Sequence, residues 1–171
     1  ADAAHFSVTA QPPASVDAGS AADFSLRFQP GSAGLKTATV SIPSSDLDED
    51  PYTFTVSGTG TVPEIGVFQD ATSVPSGGSL GFGNVLQGQS LTLDFSIQNS
   101  GDGPLALTGA PYVAISGPDA GLFSIVTAPS SPVAPGASMP FSLSFSPDST
   151  GAKSATITIA NSDADEGSYA F

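Results

Sequence analysis

An internal repeat is the feature that most constrains what this 171-residue chain can fold into. Residues 2–54 align with residues 119–171 at a constant shift of 117 positions and without a gap, and about 24 of the 53 pairs are identical. The matched pairs are core-forming and turn-forming residues, such as Phe24/Phe141, Leu26/Leu143, Tyr52/Tyr169 and Gly34/Gly151. A period of this length fits one β-sandwich domain, because solenoid coils repeat every 20–50 residues or so.

The repeat also predicts how the chain is divided. We expect residues 1–60 to be the C-terminal half of one immunoglobulin-like repeat, and residues 61–171 to be a second repeat that lacks its final strand segment. The segment TVSGTG follows Phe54, whereas the sequence ends at the equivalent Phe171. Glycine and proline in GTGTVP, residues 58–63, predict a linker, since neither residue favours a continuing strand ladder. Both ends therefore fall inside a module of a longer array.

Strict alternation of apolar and polar residues predicts strands at 24–28, 91–98 and 155–159. Glycine- and proline-rich clusters separate these runs, as in an antiparallel sandwich, and no window has a helical period. The fold class predicted is all-β: an immunoglobulin-like antiparallel β-sandwich in tandem repeats. Further strands are expected near 5–10, 36–43, 52–58, 64–68, 104–108, 112–115 and 122–127.

Charge and composition exclude several classes of partner. Sixteen acidic residues against three basic ones give a net charge of -13, which repels nucleic acids and anionic membrane surfaces. No apolar run approaches the roughly 18 residues of a membrane span, so no membrane insertion is expected within this segment. The surface must be built mainly from Ser, Thr, Asp and Gly, which is typical of an extracellular or cell-surface protein. Outward-facing Ser and Thr are candidate sites for O-linked glycans.

Two acidic loops are the candidate metal sites. Asp46, Asp48 and Asp50 lie in the first copy, and Asp163 and Asp165 lie in the second. Clustered carboxylates at alternating positions favour calcium, because the ion relieves their mutual repulsion. The alternative is a solvated turn in which Asp side chains bind nearby backbone N–H groups. Neither loop has both the Gly and the bidentate Glu of an EF-hand.

No constellation predicts catalysis. The single histidine, His5, is replaced by Leu122 in the other copy, and we interpret it as a half-buried strand residue rather than a general base. The acidic loops lack the sugar-binding aromatic residues that accompany paired carboxylates in glycosidases, and the chain has no Trp. The chain also has no Cys, so thiol chemistry and disulfides are excluded. We therefore expect a non-enzymatic protein.

Several segments resemble the immunoglobulin-like repeats of the Hydin type, and most closely the bacterial repeats called choice-of-anchor D domains. The resemblance covers nearly all of 63–171 and the second half of a preceding copy. It rests on PEIGVF, on the turn at 99–101, on FSPDSTG at 145–151 and on the SDADE and SDLDED loops. It implies a sandwich of seven to nine strands, secretion or surface display in a bacterium, and a scaffold role without catalytic residues.

Two functions remain open at this point. The first is a structural repeat of a long secreted or surface-displayed bacterial protein that forms or decorates an extracellular filament, adhesin or matrix, with neighbouring copies of itself as partners. The alternative is an adhesive or carbohydrate-binding accessory module of a larger secreted protein. That alternative predicts an exposed aromatic cluster on one module that the other copy lacks, and Tyr112 is the one candidate for it.

Overall fold

Antiparallel strands make up most of the regular structure in the computed structural model, which describes residues 2–171. The prediction of an all-β chain is confirmed. Helical residues in this described range are confined to two 3-10 turns, Ala3–His5 and Ala120–Leu122. No helix within 2–171 has the length and apolar character needed to cross a bilayer. The chain divides into two compact units, one ending at Thr61 and the other spanning Val62–Phe171.

The first unit contains two separate strand pairs. Strands β1 (Phe6–Ala10) and β2 (Ser25–Phe28) form one antiparallel pair, and β3 (Gly34–Ile42) and β4 (Tyr52–Gly60) form the other. Gly34 opens β3 with a φ of 93°, in the left-handed region that favours glycine. Side chains alternate between the two faces of each strand, so every second side chain points toward the interior of the unit.

The second unit contains eight strands in two antiparallel sheets. Strand order in the five-stranded sheet is β6-β5-β7-β10-β9, and in the three-stranded sheet it is β12-β11-β8. The strands are β5 (Ile65–Gln69), β6 (Thr72–Ser73), β7 (Leu91–Asn99), β8 (Ala114–Ser116), β9 (Phe123–Thr127), β10 (Ser138–Phe145), β11 (Thr156–Ala160) and β12 (Ser168–Ala170). The strand predicted near 104–108 is instead two isolated bridges, Leu105 with Val133 and Leu107 with Asn161.

Apolar side chains from both sheets of the second unit belong to one buried cluster. Phe95 and Phe141, from neighbouring strands of the larger sheet, stack with their ring centroids 5.1 Å apart. The cluster includes Ile65, Val67, Phe95, Ile97, Leu105, Val133, Phe141, Leu143, Ile157, Ile159 and Tyr169. By contrast, Gly60 is the one buried residue within residues 2–61.

Equivalent strands of the two units pair in the same register at a shift of 117 residues. Phe6 lies opposite Phe28 between β1 and β2, and Phe123 lies opposite Phe145 between β9 and β10. Each pair of strands also has its register irregularity at the equivalent place, next to Ser25 in β2 and Ser142 in β10. The other two strands agree as well, with Ile42 opposite Tyr52 and Ile159 opposite Tyr169.

Candidate functional site

Three carboxylates meet in the second unit. Glu64 immediately precedes β5, and Asp163 and Asp165 lie in the loop between β11 and β12. Each contributes a carboxylate oxygen, and these oxygens all lie within 4.8 Å of one another. Asp163 is only 4% exposed, whereas Glu64 and Asp165 are exposed. We refer to these three residues as the carboxylate cluster.

Asp163 is held in place by backbone N–H groups. Its Oδ2 accepts a hydrogen bond from the N–H of Ile65 at 2.8 Å, and its Oδ1 accepts one from the N–H of Asp165 at 3.3 Å. Its own N–H donates to Oδ1 of Asn161 at 2.8 Å. Asp and Asn side chains commonly bind the backbone two residues further on, so this loop folds locally, while the bond from Ile65 joins it to β5.

The buried side chain of Asn99 stabilises the backbone next to the carboxylate cluster. Its Oδ1 accepts hydrogen bonds from the N–H groups of Glu64 and Gly101, both at 3.1 Å. Its Nδ2 donates to the carbonyl oxygens of Gly103 at 2.8 Å and Val133 at 3.0 Å. Asn99 is 1% exposed, so these four bonds satisfy a buried amide that would otherwise be costly. They also fix the backbone from which the Glu64 side chain projects.

Two pKa values in the carboxylate cluster are shifted in opposite directions. Partial burial and the negative charges of Asp163, Asp165 and Glu166 raise the pKa of Glu64 above its ordinary value. Burial alone would raise the pKa of Asp163 too, but hydrogen bonds from Ile65, Asp165 and Glu166 lower it overall. Asp163 therefore keeps its negative charge to a lower pH than usual, whereas partial burial and repulsion from its neighbours make Glu64 harder to ionise.

Hard cations such as calcium bind carboxylate oxygens, so the donor set of the carboxylate cluster is of the right chemical kind. Calcium takes six to eight oxygen ligands in general, and this cluster supplies three side chains. Both oxygens of Asp163 already accept backbone N–H groups. The residues present therefore provide part of a calcium shell, and the predicted calcium site at Asp163 and Asp165 stays a prediction.

The acidic loop of the first unit uses its carboxylates differently. Oδ1 of Asp46 accepts the N–H of Asp48 at 3.2 Å, and Oδ1 of Asp50 accepts the N–H of Ser44 at 3.0 Å. Hydrogen bonds from Asp48 lower the pKa of Asp46 below its ordinary value. Within residues 2–171, the group of three close metal-binding side chains is the carboxylate cluster, so Asp46, Asp48 and Asp50 are not brought together in this way.

Glu64 is the cluster residue that sequence reasoning missed. It follows Pro63 in the predicted linker, far from either acidic loop in the sequence. Glu64 comes close to Asp163 because its neighbour Ile65 donates a hydrogen bond to Asp163, and these two bonded residues are 98 positions apart. No local pattern in PEIG indicates such a partner. The one available signal was the copied spacing of Asp163 and Asp165, which identifies the loop but not what faces it.

His5 and Tyr112 occupy different environments. His5 is half-buried at the end of a 3-10 turn, directly before the strand in which it was expected. Its Nδ1 accepts a hydrogen bond from the N–H of Gly31 at 3.1 Å, which gives this side chain a structural role in a turn. Tyr112 is 38% exposed, so its ring is accessible on the second unit.

No protein-family model and no curated protein matches the chain. Among solved structures, a protein of unknown function from Porphyromonas gingivalis W83 is similar at a TM-score of 0.47 and 17% sequence identity. That similarity covers 97% of this chain and 81% of the other. At this level of similarity, nothing about activity or partners passes from one protein to the other.

Proposed function

We propose that the chain is a stretch of a tandem array of immunoglobulin-like β-sandwich repeats of the Hydin or choice-of-anchor D type. The array would serve as a non-catalytic structural element of a secreted or surface-displayed bacterial protein, in a filament, adhesin or matrix. The observation that supports this most is the shared register at a shift of 117 residues, in which β1 and β2 pair as β9 and β10 do. A strand arrangement that recurs together with its irregularities is what copies of one module predict.

The distribution of the buried residues supports a two-layer sandwich. Phe95 and Phe141 come from the five-stranded sheet, and Ile159 and Tyr169 come from the three-stranded sheet, yet all four belong to one apolar cluster. Two antiparallel sheets that share a core in this way are the usual construction of a sandwich. Such a module is stable without disulfides, which suits a chain with no Cys.

The polar residues favour a scaffold over an enzyme. Asp163, the most buried carboxylate, binds backbone N–H groups of its own loop and of β5. The one histidine accepts a hydrogen bond from a turn. Both groups thus hold the backbone in place, whereas catalytic acids and bases need a free face toward a substrate.

Chains of increasing length test the proposal. One, two or three further copies of residues 55–171 would be joined after Phe171, each adding one full period, and the maximum dimension would be measured by small-angle X-ray scattering. A tandem array predicts a roughly equal increase for every copy, because each repeat contacts only its neighbours. Increments that shrink as in a single growing globule, or added copies that fail to fold, would contradict the proposal. Electron microscopy of the longest chain, with and without a calcium chelator, shows whether it assembles into filaments.

The exposure of Tyr112 favours a second candidate function, the adhesive or carbohydrate-binding module. Its side chain is 38% exposed in the second unit, and Tyr52 in the first unit is 51% exposed, so exposed tyrosine is present in both units. Exposed tyrosine rings provide flat apolar contacts together with a polar tip, which suits binding surfaces. A glycan array would test this candidate: it predicts binding that Tyr112→Ala removes, whereas the structural function predicts no binding by either chain.

A further inference from the structure

A groove of about 800 Å³ runs along one side of the second unit. It is lined by residues 151–155, which we refer to as the groove wall, and by residues 79–85 and Gln87. Its apolar lining, which we refer to as the groove floor, includes Phe82, Phe123, Phe145 and Phe171. We refer to the whole groove as the acceptor groove. Its position is informative because the first unit contains the same wall with its neighbouring strand in place.

In the first unit, residues 34–38 are the equivalents of 151–155 and are fully paired. They form the beginning of β3, with Gly34 opposite Gly60, Lys36 opposite Gly58 and Ala38 opposite Val56. In the second unit, β11 begins only at Thr156, so the equivalent residues belong to no strand. The acceptor groove therefore lies where the first unit has residues 56–60 of β4.

The backbone of the groove wall is oriented to receive a strand. Ser154 exchanges hydrogen bonds with Asp119, as Thr37 does with Asp2 in the first unit. Since successive backbone groups of an extended chain point to opposite sides, those of Lys153 and Ala155 point into the groove. Within residues 2–171, neither Lys153 nor Ala155 has a backbone hydrogen-bond partner. Such a row of unpaired groups is what an added β-strand binds.

The floor of the acceptor groove predicts which side chains the strand carries. In the first unit, a Cβ atom on Gly58 would come within 2.7 Å of the Phe28 ring, so a larger residue there would have to displace that ring. Phe145, the equivalent of Phe28, lies on the groove floor. Gly60 lies just as tightly against Pro30 and the carbonyl of Ser32. The equivalents of those two residues, Pro147 and Ser149, also line the groove.

We propose that the acceptor groove is a binding site for an extended peptide strand with the residue pattern of 55–60, TVSGTG. The apolar residue would lie opposite Ala155, and the two glycines would lie opposite Lys153 and Gly151. The strand enters next to Phe171, whose backbone already exchanges hydrogen bonds of 2.8 and 3.1 Å with Ile157. The partner is thus recognised by main-chain hydrogen bonds and by glycines at alternate positions. This inference rests on the repeat of the proposed function, since the strand pattern is transferred from the first unit at a shift of 117 residues. The two proposals fail separately, because the scattering increments test the array and the peptide response at Lys153 and Ala155 tests the groove.

A peptide titration tests the proposal directly. The ¹⁵N-labelled 171-residue chain would be titrated with the synthetic peptide TVSGTGTV, which copies residues 55–62. We expect the amide signals of Lys153 and Ala155 to shift and their hydrogen exchange to slow by about tenfold or more. The control is the same peptide with the change Gly58→Val. Its binding should be at least about tenfold weaker, because the added side chain would overpack the Phe145 ring.

A second measurement removes the dependence on peptide affinity. The chain would be extended after Phe171 by TVSGTG or by TVSVTG, and the melting temperatures of the two would be compared. A higher melting temperature for the glycine version, together with slowed exchange at Lys153 and Ala155, supports the proposal. It is overturned if these two amides respond to neither peptide nor extension, or if the valine versions act as strongly as the glycine versions.

Discussion

The two units have equivalent strands but differ in how deeply those strands are buried. Leu26 in β2 is half-buried, whereas its equivalent in β10, Leu143, is completely buried. Tyr52 is 51% exposed, and its equivalent Tyr169 is 3% exposed. For the two leucines, the neighbouring strands explain the difference. Strand β10 lies between β7 and β9, while β2 pairs with β1 alone among the described strands. A strand pattern thus marks a face that is able to form a core, and its neighbours determine whether a core forms.

The largest expected contrast is between Leu143→Ala and Leu26→Ala. Removing the fully buried Leu143 side chain leaves a cavity and should cost about 2–5 kcal/mol of unfolding free energy. Leu26 is half-buried, so the same change should cost roughly 1 kcal/mol or less. Urea unfolding followed by NMR peak intensities in each unit measures both. Equal losses would mean that Leu26 and Leu143 are equally buried in solution, which would contradict the difference in burial between the two units.

A smaller contrast separates the two acidic loops. Asp163→Asn takes a charge from a buried acceptor of two N–H groups, and we expect a loss of about 1–3 kcal/mol at neutral pH. The equivalent Asp46→Asn, in the exposed loop, should leave the unfolding free energy unchanged within error.

The pH dependence of Asp163 sharpens the same comparison. Because the pKa of this carboxyl is lowered in the folded state, its stabilisation is present above the ordinary value of 3.8 and is lost as the pH falls through the lowered value. The difference between the original chain and Asp163→Asn should therefore be constant near neutral pH and shrink below pH 3.8. A difference that persists unchanged in strong acid would show that the effect is not one of charge.

Tyrosine hydroxyls provide the next contrast. The Tyr169 hydroxyl donates a hydrogen bond of 2.7 Å to the carbonyl of Val74 in the buried core. Tyr169→Phe leaves that carbonyl without this donor and should cost about 1 kcal/mol. Tyr52→Phe, at the exposed equivalent position, is the matched control and should cost nothing measurable. Thermal unfolding of the two variants measures both losses. A larger loss for Tyr52→Phe would contradict the difference in burial between Tyr52 and Tyr169.

The smallest expected effect concerns Glu64. Because its pKa is raised in the folded state, its ionisation weakens folding as the pH rises from the ordinary value of 4.5 through the raised value. Glu64→Gln should therefore raise the melting temperature slightly at pH 7, and the gain should disappear in acid below pH 4.5.

The calcium prediction is tested with the same variant. If the carboxylate cluster binds calcium, added calcium should raise the melting temperature of the original chain and raise that of Glu64→Gln much less. Asp48→Asn, in the loop of the first unit, is the matched control and should retain the response. Equal responses in all three chains would mean that calcium acts away from the carboxylate cluster.

Local patterns predicted much of the secondary structure for a plain physical reason. Alternating runs such as that of β7 are read from neighbours two positions apart, so the sequence contains the whole signal. The segment around Leu105 and Leu107 looked similar, but it forms only single bridges to Val133 and Asn161. A short strand exists only where a partner runs beside it, and that partner lies far away in the sequence.

The carboxylate cluster, too, was predicted from the sequence only in part. Asp163 and Asp165 were predicted from the copied loop, and the structure brings them together. Asp46 and Asp48 form the same local turn, with an N–H to carboxylate bond of 3.2 Å. What distinguishes the two loops is β5, whose first residue, Ile65, binds Asp163 and brings Glu64 beside it.

By itself, the sequence determined that the chain is all-β, where most strands run, and that residues 2–54 and 119–171 share one pattern, because these properties depend on residues close together in the chain. Only the tertiary structure decided how deeply each copy is buried within the described residues and which carboxylates meet. Those outcomes depend on contacts between residues far apart in the sequence, such as Glu64 and Asp165, which are 101 positions apart. Neither local segment indicates such a contact by itself.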